Sequence, residues 1–156
     1  MRAAVLPDAR FIARNLRASD VRELKDMGLT KQAVCESFSK SQYCRVMCDP
    51  DGRPFAIWGC GAIADPTYDI GSVWMLATDE LEKHRIAFGR ICAGEVRNML
   101  NIFPLLTNYV HVSNLRSQQW LVSLGAELAP ERLCGKGAKF RQFWFEKQEE
   151  PSCVHG

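Results

Sequence analysis

Two histidines and one asparagine stand where this chain could do chemistry. His111 lies in Tyr109-Val-His-Val-Ser113, whose alternation suits a strand, and its imidazole could take up an amine proton through a water near neutral pH. Asn114 follows at once and opens a run ending at Gly125-Ala126, where its carboxamide can cap a helix. His84 lies in Asp79-Glu-Leu-Glu-Lys-His-Arg85, at the start of a long helical pattern. Free N–H groups and the positive dipole end at such a start attract anions, and Lys83, His84 and Arg85 add positive charge. Plainer readings exist for each: His111 between two valines fits a packed strand histidine, His84 an exposed helix residue, and Trp74 and Trp120 core packing. Asp79, Glu80 and Glu82 in the first turn oppose an anion. Cys44 and Cys48 share one strand face with Cys60 opposite, but no His follows at ligand spacing, so no metal is expected.

The elements that must hold these residues can be read from periodicity and turn chemistry. Val73 to Ala77 is almost wholly apolar, as in a central strand buried on both faces. Leu81, Phe88, Cys92, Val96, Met99 and Phe103 recur at helical steps, which predicts the longest helix over 79 to about 102, with Asp79 and Glu82 as a capping box and Pro104 as the stop. Leu105 to Val112 is the next strand, and 126 to 133 with 140 to 145 a closing hairpin around Gly135-Lys-Gly137. Upstream, Phe11 to Leu16 alternates as a strand, followed by a helix from Ser19 or Asp20 to Met27, stopped by Gly28. Thr30 caps a second helix that frays near Ser39 to Ser41. Gln42 to Cys48 and Pro54 to Ile63 flank the turn Asp49-Pro-Asp-Gly52 as a hairpin, and Asp65-Pro66 breaks the chain.

The bulk numbers agree with a single domain over 1–147 and a flexible tail over 148–156. At 156 residues, 47% hydrophobic and 24% charged, the chain is a globular protein able to bury about two thirds of its unfolded surface. A formal charge of +2 gives no concentrated field for nucleic acid, and no apolar run approaches the roughly 20 residues of a membrane span. Seven Cys, an odd set without a C-x-x-C pair or a secretion signal, point to free thiols in a reducing cytoplasm.

The order strand, two helices, hairpin, central strand, long helix, strand, helix, hairpin is α+β, a sandwich around a mixed, mainly antiparallel twisted sheet of about seven strands. With the run V-W-M-L, then N-Y-V-H-V-x-N, W-L and G-A, the chain resembles the GNAT acyltransferase superfamily, and more closely the GNAT-like internal virion protein A group of short-tailed bacteriophages. That resemblance implies acetyl-CoA as cofactor. Leu76 and Ala77 would hold its pantetheine arm, with a backbone N–H near Leu76 polarising the thioester carbonyl. Thr78 to Leu81 would lie under the pyrophosphate, Lys83, His84 and Arg85 on the adenine side, and Asn114 at the following helix. The chain departs from the superfamily pattern where R/Q-x-x-G-x-G/A is usual, and it carries Leu121 where a thiolate-protonating Tyr is common.

Three functions remain open on this reading. The first is a bacteriophage protein of degenerate acetyltransferase type that binds a host or phage protein during infection or assembly. The second is an active N-acetyltransferase acting on a host protein or small amine, with His111 as the base. The third is a structural component of the virion. The expected location is the host cytoplasm, with or without association with the particle.

Overall fold

The computed structural model describes residues 1–63, 67–134 and 137–149. Twelve elements follow in order: β1 (Arg2–Ala3), α1 (Leu6–Arg14), α2 (Ala18–Asp26), α3 (Ala33–Lys40), β2 (Tyr43–Cys48), β3 (Pro54–Ala62), β4 (Ile70–Ala77), α4 (Leu81–Leu100), β5 (Leu105–His111), α5 (Leu115–Ser123), β6 (Glu127–Cys134) and β7 (Ala138–Glu146). The strands form one sheet in the order β1-β2-β3-β4-β5-β7-β6, antiparallel throughout except for β4 beside β5. The α+β fold and the central place of β4 are as the patterns predict.

Both faces of β4 are covered, which explains its apolar sequence. Val73 and Ala77 join the larger core with Phe88, Cys92, Val96 and Met99 of α4. Trp74 and Leu76 turn the other way, onto a smaller core built on Ala9, Ile12 and Val34 of α1 and α3. Phe103 closes the far end so tightly that a Cβ on Gly71 would stand 2.6 Å from its ring, so this strand position admits only glycine without a shift. The whole predicted stripe of α4, from Leu81 to Met99 and on to Phe103, is buried.

Four local expectations are corrected, the first being the Thr30 cap, since α3 begins at Ala33 with no side-chain cap bond. Phe11 to Leu16 is no strand: residues 6–14 form α1, started by Pro7 in the first turn and by Asp8, whose Oδ2 accepts the Val5 N–H at 2.9 Å. Ile12 is fully buried at helical spacing from Ala9. No side-chain cap bond opens α2, because the Asp20 carboxylate is used in tertiary contacts. Nor does the Asp79 and Glu82 box form, since α4 begins two residues later at Leu81 and the Glu80 N–H donates to Thr78 Oγ1 at 3.3 Å. The hairpin turns at 49–52 and the cap by Asn114 form as expected, with Gly52 and Gly125 at φ +82° and +98°. The Asp65-Pro66 break, the Gly135-Lys136 turn and the tail from 150 onward lie outside the described residues.

Candidate functional site

The site begins where the parallel pair comes apart. β4 and β5 pair only at Ile70, Gly71 and Ser72 with Leu105, Leu106 and Thr107. The next rung would join the Val73 C=O to the Tyr109 N–H. Instead the Asn108 carboxamide stands between them: its Nδ2 donates to Val73 O at 2.6 Å and its Oδ1 accepts the Tyr109 N–H at 2.8 Å. One side-chain amide takes the place of a peptide group, and beyond it the strands diverge. Nothing in the sequence pattern singles out Asn108 for this.

Backbone parity decides which groups face the gap. The Thr78 N–H donates to Phe55 O at 2.9 Å, so in this antiparallel register Thr78, Leu76 and Trp74 turn their backbone groups toward β3. Val73, Met75 and Ala77 turn theirs toward β5. The amide on offer beside Leu76 is therefore that of Met75, and among the described residues its N–H and C=O have no partner. Across the gap the Val112 N–H bonds to Lys139 O, which places Tyr109 and His111 on the side of β5 that faces β4.

Ala77, by contrast, is engaged by the chain itself. The Arg17 N–H donates to Ala77 O at 3.0 Å, and the Ala77 N–H donates to Asp20 Oδ2 at 2.9 Å. Leu16 forms an isolated antiparallel bridge with Thr78. The linker between α1 and α2 thus lies along the end of β4 as a short added strand. Burial raises the Asp20 carboxyl above the usual carboxylate range, an effect opposed by Arg17, whose Nε donates to it at 2.9 Å.

The amides at the start of α4 are also used internally. Leu81, Glu82 and Lys83 donate to the carbonyls of Thr78, Asp79 and Glu80, and Glu80 donates to the Thr78 hydroxyl. Of the three basic residues here, Lys83 pairs with Glu80 at 2.9 Å. His84 stacks on Phe55 with ring centroids 4.5 Å apart and meets Glu80 Oε1 at 3.6 Å. Arg85 lines a groove of about 680 Å³ between α4 and α5, as do Arg116 and Glu82, which pair at 3.2 Å. The sequence-predicted residues Leu76, Ala77, Thr78 and Asn114 converge on the end of β4 and the start of α5, while Lys83 and His84 are turned to Glu80.

Helix α2 straps the open end with three carboxylates at steps of three. Asp20 reaches β4, as described. Glu23 Oε1 accepts Asn114 Nδ2 at 2.7 Å, while Asn114 Oδ1 caps α5 by accepting the Ser117 N–H at 3.1 Å. Asp26 Oδ2 stands 3.4 Å from His111 Nε2. Burial raises the Glu23 carboxyl, opposed by its bond from Asn114. His111 Nδ1 accepts the Ser113 N–H at 3.1 Å and stands 2.7 Å from the Ser113 hydroxyl, while Nε2 faces Asp26. Glu23 was not picked out from the sequence, although the spacing of Asp20, Glu23 and Asp26 along one helix face was there to be read.

Behind the strap the gap opens into a cavity of about 370 Å³ lined by Glu23, Trp58, Met75, Phe88, Tyr109 and Trp120, among others. Glu23 Oε2 has no hydrogen-bond or ion-pair partner among the described residues. Leu121, in the position after Trp120, is buried in the larger core and offers no proton. Among the described residues no group of three or more His, Cys, Asp or Glu side chains is placed to hold a metal, and no helix is long and apolar enough to cross a membrane.

This architecture, a seven-stranded mixed sheet opening between β4 and β5, is the GNAT acetyltransferase fold. Solved structures similar to it include a GCN5-related N-acetyltransferase from Kribbella flavida, at TM-score 0.69 and 14% identity, covering 93% of this chain and 95% of that one. A chimera based on the spermidine N-acetyltransferase of Vibrio cholerae gives 0.69 and 12%, covering 93% of each chain. The ribosomal-protein-S18-alanine N-acetyltransferase from Escherichia coli gives 0.66 and 12%, covering 99% of this chain and 97% of that one. At such identities the likeness is one of fold. No protein-family description matches the chain, and no curated protein matches it in sequence.

Proposed function

We propose that this chain is a bacteriophage GNAT-fold protein that works by binding a host or phage protein, in the cytoplasm of the infected cell, and does not transfer acetyl groups. The observation that carries the reading is at Ala77, where an acyl-CoA arm would add to the strand. Both backbone groups there already serve Arg17 and Asp20. Three further features support it: the internally bonded amides at the start of α4, the acidic Asp79, Glu80 and Glu82 beside them, and Leu121 in place of a hydroxyl. The phage assignment rests on the V-W-M-L strand and the N-Y-V-H-V-x-N stretch. Calorimetry with acetyl-CoA tests the reading. A ligand at 100 times its dissociation constant stabilises a fold by about 2.7 kcal/mol, and we expect neither heat nor a thermal shift at millimolar acetyl-CoA.

One observation favours an alternative, an acetyl-CoA-dependent N-acetyltransferase acting on a protein or small amine: the Met75 N–H faces the gap and a carboxylate, Glu23, stands within it. Saturable acetyl-CoA binding with transfer to an amine would establish that alternative and overturn the proposal.

A further inference from the structure

Within the reading of the fold as a protein-binding module, we infer that the gap between β4 and β5 takes an extended segment of the partner, which adds as a strand between them and places a basic side chain against Glu23. The ligand class follows from the groups on offer. Asn108 already fills the first open rung with an amide, bonded on both sides, so the gap at that point has the width of an amide group. Past it, the Met75 N–H and C=O on one wall and the Tyr109 C=O and His111 N–H on the other have no backbone partner among the described residues. They are the donors and acceptors that a peptide continuing the same ladder would meet.

Charge decides which peptide. Glu23 Oε1 is held by Asn114, Oε2 has no partner among the described residues, and Glu23 lines the cavity together with the apolar walls of Trp58, Phe88 and Trp120. Asp20 and Asp26 flank it on the same helix face, and Arg17 is already engaged with Asp20, while the His111 ring stands at Asp26. A lysine or arginine lays its stem along such walls and its charge on such a carboxylate. A phosphate-bearing arm with the same amides meets three carboxylates at the mouth of the gap.

The test uses the full chain and the capped peptide acetyl-Val-Lys-Val-Lys-Val-amide, followed by amide NMR and by Trp fluorescence. We expect saturable binding below millimolar peptide with shifts at the Met75 and His111 amides. N-methylation of the two adjacent peptide nitrogens that face the Met75 C=O and the Tyr109 C=O removes both of these hydrogen bonds, so it should weaken binding by about thirtyfold. Glu23→Gln should weaken the lysine peptide, and a peptide with glutamate in place of lysine should not bind. Absence of binding at millimolar peptide, or equal binding of the N-methylated form, overturns the inference. Acetyl-CoA is run in parallel. Its binding with acetyl transfer to the peptide would overturn the proposed function, whereas failure of both ligands overturns the strand addition alone.

Discussion

Removing the Asn108 carboxamide should cost more than its size suggests, because two backbone groups depend on it. In Asn108→Ala the Val73 C=O and the Tyr109 N–H both lose their partner in a part-buried place. Each unsatisfied group costs about 1–3 kcal/mol, and water admitted to the gap returns part of that, so we expect a loss of about 2–4 kcal/mol. For a chain of this length each kcal/mol moves Tm by about 2–4 °C, which predicts a fall on the order of 5–15 °C in a thermal scan. Asn108→Asp separates the two bonds. Its carboxylate still accepts the Tyr109 N–H but faces the Val73 C=O with no proton, so at neutral pH it should lose at least as much as alanine. On acidification the protonated acid can donate to Val73, and the loss should shrink. An alanine variant within 1 °C of the parent, or an aspartate variant as stable as the parent at pH 7, would refute the spacer role.

Other consequences can be checked with the same preparations. Phe88→Ala, which empties a site 7% exposed between Trp58 and Trp120, should cost roughly 3–5 kcal/mol by denaturant titration. Burial raises the Glu23 carboxyl above its unfolded value, so its contribution is present at low pH and lost as pH rises through the folded pKa. Glu23→Gln should therefore be more stable than the parent at pH 7, with the difference vanishing near pH 4; a variant less stable at pH 7 contradicts this sign. The thiols of Cys44, Cys60 and Cys92, pushed by burial to about 12, 11 and 12, should resist iodoacetamide in the folded chain and react on denaturation. Rapid labelling of any of the three under native conditions would show that they are not shielded.

What could be read in advance was what repeats along one element. The stripe of α4 and the apolar run of β4 announce themselves because burial on a fixed period leaves a mark on every turn. Asn114 and Gly125 were legible too, since a cap and a positive φ are local needs. The loose alternation of the six residues Phe11–Leu16 suggests a strand, but Pro7 and Asp8 start a helix just upstream and the chain follows them. Asp20 looked like a cap and proved a tertiary clip, as the group it serves, Ala77, lies 57 residues away. Asn108 leaves no mark at all, since one polar residue in a strand is ordinary until the facing backbone is known, and Glu23 shows only as the middle of three acidic residues spaced along one helix face. His111 is visible as a candidate, but the groups on its two ring nitrogens, Ser113 and Asp26, are not.

The short pairing between β4 and β5 also divides the sheet mechanically. Three paired positions and one carboxamide join a first leaf, β1 to β4, to a second, β5 to β7. Within each leaf the strands are laddered along most of their length. Such a sheet has a spine at the Ile70 and Leu105 end and two free margins at the other, fastened across by α2 through Ala77, Asn114 and His111. The leaves should accordingly exchange their amide hydrogens as two cooperative blocks, with the fastener opening at lower free energy than either, so that a partner entering between them need only unclasp one helix while both ladders stay intact.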